Sequence, residues 1–105
     1  TYSKMENQII YKKRFLNKLD KLLAYLEKEW NITVGNEFLD KLEEKIQIIK
    51  SHPTIGGITS IKNTRSILIT NHNKVYYRIE KNKIVVLNMI DTRKDPKKNP
   101  FNKNS

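Results

Sequence analysis

The chain of 105 residues has no cysteine and only three glycines, three prolines and one tryptophan. Without cysteine there can be neither a disulfide framework nor a thiolate metal site. His52 and His72 are the only soft ligands left. Both fall in loop-like stretches without nearby acids, so no metal and no other cofactor is expected. No apolar run approaches the roughly 20 residues a membrane-spanning helix needs, and nothing at the start reads as a secretory signal. The expectation is therefore a cytoplasmic protein with no membrane partner. Acid is scarce as well: 11 carboxylates face 21 lysines and arginines, for a formal charge of +10.

The cationic excess is uneven. Residues 12–50 hold nine cations and seven acids, whereas residues 51–105 hold eleven and three, a net +8. A half-chain so charged suits a polyanionic partner, of which nucleic acid is the commonest. A generic solubilising surface is the plainer alternative.

A chain of this length is one domain by size alone. Residues 8–11 (Gln-Ile-Ile-Tyr) suit a short strand. From residue 13 to 30 the period becomes helical, with Phe15, Leu19, Leu22, Leu26 and Trp30 on one face and Leu16 and Leu23 beside them. Trp30 is read as hairpin or core packing. Residues 31–36, with Gly35, read as a break before a second helix that begins at Val34 or Asn36 and runs to Lys50. Its apolar face is Phe38, Leu42, Ile46 and Ile49, and Pro53 ends it.

After Pro53 the helical period disappears. Strands are expected over residues 58–62, 65–70, 74–80 and 83–91, joined by turn-prone links too short for crossovers. Val75, Tyr77 and Ile79 alternate with Tyr76, Arg78 and Glu80, which gives that strand one buried face and one open face. The reading is an α+β domain: an N-terminal antiparallel helical hairpin packed on one face of a small, mainly antiparallel twisted sheet. Lys74, Tyr76 and Arg78 would occupy the other face.

Several residues then carry a resemblance. A short strand is followed by a helical hairpin with Phe38-Leu39-Asp40 opening its second helix, then by His52-Pro53-Thr54-Ile55-Gly56. Arg65 lies in a later strand, followed by Val75-Tyr76-Tyr77-Arg78-Ile79-Glu80, Ile84-Val85-Val86-Leu87 and Asp91-Thr92-Arg93-Lys94-Asp95-Pro96. In this order and length the chain resembles the RelE/ParE superfamily of toxins from type II toxin–antitoxin systems. The likeness would make residues 1–96 a single toxin domain and residues 97–105 a basic tail. It implies a growth inhibitor neutralised by a cognate antitoxin. RelE-like members cleave mRNA on the ribosome, and ParE-like members inhibit DNA gyrase.

Metal-free RNA cleavage needs a proton acceptor, a proton donor and cations around the phosphorane. Aligned with RelE-like members, Arg65, Lys74 and Arg93 are the catalytic candidates. The second strand lysine of those members is matched by Ile67, and no tyrosine or histidine follows Arg93. Loss of one acid–base group costs about a hundredfold in rate, so the incomplete set favours ParE-like inhibition of gyrase. Target binding would then fall to Tyr76, Arg78, Arg93, Lys94, Lys97 and Lys98. An mRNA endonuclease acting on the ribosome is the alternative, and a non-toxic nucleic-acid-binding module is the second. Plainer roles stand beside these: Tyr77 as a core aromatic, and Arg65 as an anchor to a carboxylate such as Asp91.

Overall fold

The computed structural model describes residues 7–94. The element order is β1 (Gln8–Tyr11), α1 (Lys13–Glu29), α2 (Ile32–Ser51), a 3₁₀ turn (Pro53–Ile55), β2 (Gly57–Ile58), β3 (Thr64–Thr70), β4 (Asn73–Glu80) and β5 (Lys83–Asp91). The two helices pack on a five-stranded sheet of order β1-β5-β4-β3-β2. Every pairing is antiparallel except β1 with β5, where Gln8 meets Lys83 and Tyr11 meets Val86. That parallel pair is closed by the intervening helices and strands, the long connection such a pair requires. The α+β hairpin-on-sheet reading is therefore correct.

Two boundaries differ from expectation. The break between the helices is only Trp30 and Asn31, and α2 starts at Ile32. Asn31 is the N-cap: its Oδ1 accepts from the Val34 N–H at 3.0 Å, satisfying one of the donors a helix start leaves unpaired. Gly35 lies inside the first turn rather than in a loop. It is buried, and an added Cβ would stand 3.6 Å from Glu27 Cγ. Asn31→Ala is expected to cost about 1 kcal/mol, read as a lowered midpoint in thermal or urea unfolding. The second difference is β2, which is two residues instead of five because the chain leaves the sheet edge into a turn at residues 60–63. Asn63 closes that turn at φ 60°, a left-handed conformation asparagine tolerates.

The core lies between hairpin and sheet. Phe15, Phe38, Leu42 and Ile46 meet Ile69, Val75, Val86 and Met89, while Ile49, Tyr77 and Ile84 form an adjoining cluster. Tyr77 is thus the core aromatic expected. Trp30 does not pack in the hairpin and is 68% exposed. The helical period placed it on the apolar face, but the helix ends at Glu29 and the residue turns outward.

One irregularity positions the candidate site. Tyr76 pairs with Asn88, but Tyr77 pairs with Val86, so Leu87 is an extra residue in β5. A bulge of this kind breaks the period-two alternation. Without it Asn88 would follow Ile84 and Val86 onto the helix side. With it Met89 enters the core and Asn88 turns to the opposite face.

Candidate functional site

The sheet face opposite the helices bears rows set by the register: Leu68, Lys74 and Ile90; Ser66, Tyr76 and Asn88; Thr64, Arg78 and Val85. Part of this face is a concavity of ≈ 490 Å³ lined by Lys12, Lys13, Arg14, Ile61, Thr64, Arg78, Leu87 and Asn88. Ile61 and Leu87 give it an apolar side. Four cations stand around it, three of them consecutive at the start of α1. Lys12 is the N-cap of that helix but makes no side-chain cap, and no acid lies in the first turn. The Lys12 N–H is used by the Val86 carbonyl (2.9 Å), and the first helical bond runs from Leu16 N–H to the Lys12 carbonyl (3.1 Å). The N–H groups of Lys13, Arg14 and Phe15 meet no acceptor among the described residues. A helix start with free N–H groups carries partial positive charge, and here side chains of the same sign reinforce it.

The residues singled out from sequence do not all converge. Arg78 lines the concavity, with its Nε on Glu80 Oε2 at 2.7 Å. Lys74 is on the same face, between Leu68 and Ile90. Tyr76 shares the face but is 3% exposed, so it offers no open ring for stacking. Arg65 points to the helix side, paired in register with Tyr77. Its Nη1 donates to the carbonyls of Thr54 (3.1 Å) and Gly56 (2.8 Å). It is an anchor, as one reading held, but for backbone carbonyls rather than for Asp91. The Tyr77 hydroxyl completes the same latch, donating to the Pro53 carbonyl at 2.6 Å and accepting from the Gly56 N–H at 3.0 Å. Burial pushes the Tyr77 phenol up from its ordinary range, so it keeps its proton.

Arg93 grips Asp91 by two bonds, Nε to Oδ1 at 3.0 Å and Nη2 to Oδ2 at 2.7 Å. Hydrogen bonding to Arg93 holds the Asp91 carboxyl down at about 2. A depressed carboxyl stabilises the fold above its unfolded value of 3.8 and loses that contribution as pH falls towards 2. An NMR titration of Asp91 should show its midpoint near 2, and Arg93→Ala should return it towards 3.8. Lys94 is exposed beyond it. Lys97, Lys98 and the rest of the tail lie outside the described residues.

No described residue in the concavity is a histidine or an unpaired carboxylate. His52 follows α2 and His72 sits in the β3–β4 turn. One lysine does have a lowered pKa. Lys18 on α1 is depressed by burial, then by Lys94, Arg14 and Lys21. Its Nζ donates to the Met89 carbonyl at 3.3 Å, and it is not among the residues lining the concavity. Among the described residues no group of three or more His, Asp or Glu could hold a metal, and no helix is long and apolar enough to cross a membrane.

Residues 9–96 match the family described as ParE toxin of type II toxin-antitoxin system, parDE. This chain belongs to the ParE toxin family. Solved structures agree on the fold. The chromosomal ParDE system from P. aeruginosa superposes with a TM-score of 0.70 at 9% identity, covering 82% of this chain and 96% of that one. The YoeB dimer from Staphylococcus aureus gives 0.58 at 13% identity, over 81% and 95% of the two chains. The E. coli DinJ-YafQ toxin-antitoxin complex gives 0.58 at 12%, over 85% and 96%. At such identities the likeness is one of fold. No curated relative matches in sequence.

In this ParE-family toxin the sequence reading missed Lys12, Lys13, Arg14 and Asn88. The first three had a visible signal. Lys12-Lys13-Arg14 opens a helix without an acid in its first turn, against the dipole preference for acids there. Asn88 had none, because its face depends on the bulge at Leu87.

Proposed function

We propose that this type II toxin arrests growth by ParE-like inhibition of DNA gyrase, binding its target without cutting nucleic acid. The observation that carries the reading is the sheet face itself, cationic but without a histidine, an exposed tyrosine or an unpaired carboxylate among the described residues. Tyr76 is buried, Glu80 is paired with Arg78, both histidines are elsewhere, and Arg65 is spent on two carbonyls. Metal-free cleavage needs both an acceptor and a donor of protons, whereas binding needs only shape and charge. Arg78, Arg93 and Lys94 are the described cations proposed to touch the target, joined by the three at the start of α1. Controlled expression, with plasmid supercoiling and transcript ends followed together, tests it. Relaxed plasmid with intact transcripts is expected. Transcripts cut within codons, with supercoiling unchanged, would sink it.

The second reading, an mRNA endonuclease acting on the ribosome, is favoured by one feature: Lys74 and Arg78 share the face that holds the concavity. In that case Lys74→Ala would abolish cleavage.

The cytoplasmic partner is a cognate antitoxin. The hairpin leaves large apolar side chains uncovered, among them Tyr25 (55%), Trp30 (68%) and Ile32 (62%), and exposed apolar groups of this size mark contact surfaces. Trp30→Ala should weaken antitoxin capture about tenfold or more while leaving the melting temperature within about 2 °C, because the side chain is mostly solvated. Unchanged affinity in a titration would place the antitoxin elsewhere.

A further inference from the structure

We infer that the concavity at the start of α1 is a binding site for a phosphate ester whose apolar body lies against Ile61 and Leu87. Three observations meet there. The N–H groups of Lys13, Arg14 and Phe15 have no acceptor among the described residues, and free N–H groups at a helix start are suited to an anion. Lys12, Lys13, Arg14 and Arg78 line the same hollow.

The third observation is independent of the helix. Asn88 is 4% exposed and lines the concavity. Its Oδ1 accepts from the Met89 N–H at 2.8 Å, but its Nδ2 meets no acceptor among the described residues. A buried amide nitrogen with no acceptor among the described residues costs free energy unless another group meets it, and the bulge at Leu87 is what turns the side chain to this face. An incoming oxygen would satisfy it.

The lining distinguishes this hollow from a general cationic surface. Ile61 and Leu87 give it apolar surface between its cations, so a bare inorganic anion would leave that area uncovered. A nucleotide presents both parts, a dianionic phosphate and a flat base. The second hollow of ≈ 490 Å³ lacks this character: Lys41 and Lys45 there stand beside Glu44. The inference holds whichever macromolecule the toxin is aimed at, and its test involves neither gyrase nor ribosome.

The test is a titration of the full chain with adenosine 5′-monophosphate, adenosine, inorganic phosphate and a short single-stranded oligonucleotide, followed by amide chemical shifts. Saturable shifts are expected at Lys13, Arg14, Phe15 and the Asn88 side-chain amide with the monophosphate. Adenosine should bind about tenfold more weakly, since it lacks the charge-assisted bonds. Lys13→Ala/Arg14→Ala should weaken the monophosphate about tenfold, and Asn88→Ser should weaken it severalfold with amide shifts elsewhere preserved. An oligonucleotide that binds much tighter identifies the phosphate as part of a strand, and equal affinity identifies a free nucleotide; both outcomes support the site. The inference is overturned if adenosine matches the monophosphate or if the shifts map elsewhere. It is also overturned if Lys41→Ala/Lys45→Ala weakens binding as much as the change at α1.

Discussion

Gly56→Ala is expected to destabilise the toxin by about 3 kcal/mol, the upper end of ordinary overpacking, and to free the segment that carries Ile61. A Cβ at this position would stand 2.6 Å from the Tyr77 hydroxyl and 2.7 Å from the Ser66 carbonyl oxygen. The hydroxyl can move only by giving up its bonds to Pro53 and Gly56. The carbonyl is backbone of β3, so relief there shifts the sheet edge. Each lost buried bond costs about 1–3 kcal/mol when its partner is left unsatisfied. Tyr77→Phe should therefore cost about 2 kcal/mol, and the Gly56 amide should exchange faster with solvent. In a domain of this size each kcal/mol lowers Tm by about 4–8 °C, so Gly56→Ala should melt more than about 10 °C earlier. A fall of under about 3 °C would mean that the latch does not hold this segment.

The second large effect has two opposite signs. Lys13→Glu/Arg14→Glu should raise stability and abolish toxicity. Both positions lie in the first turn of α1, where no acid offsets the positive end of the helix. Replacing cations with acids there is worth about 0.3–1 kcal/mol at each position, or a rise of about 5 °C in Tm. The same change reverses the charge on one rim of the concavity, and gyrase inhibition and growth arrest should be lost together. Gains in stability that remove function are usual where a site conflicts with the fold's own preferences. Melting curves and colony counts on expression read the two outcomes separately. A variant that melts earlier, or still arrests growth, contradicts the account.

The elements that were legible from sequence are those whose side chains repeat with a clear period. Phe15 to Leu26 and Phe38 to Ile49 mark the two helices because each must bury one stripe, and Val75, Tyr77 and Ile79 mark the core face of β4 in the same way. The helix boundary was misread because Gly35 looks like a breaker. It sits instead in the first turn of α2, buried beside Glu27 and Leu23 of α1, where an added Cβ would make only ordinary contacts, and Asn31 is the true cap.

The site was harder to read. Tyr76 alternates correctly onto the far face, yet it is buried there; alternation reports which way a residue points, not what lies over it. Arg65 looked like a site cation because its partners are carbonyls at residues 54 and 56, and backbone partners leave no trace in sequence. Asn88 was out of reach because one extra residue in β5 changes the face of everything after it. Lys12 to Arg14 could have been found by asking why three cations open a helix.

The central claim, that the toxin stops gyrase by binding, is tested most directly by gyrase supercoiling of relaxed plasmid with the purified protein at equimolar amount. The account predicts that supercoiling stops, and that prior addition of the cognate antitoxin restores it. Full supercoiling at a stoichiometric excess of toxin would contradict it.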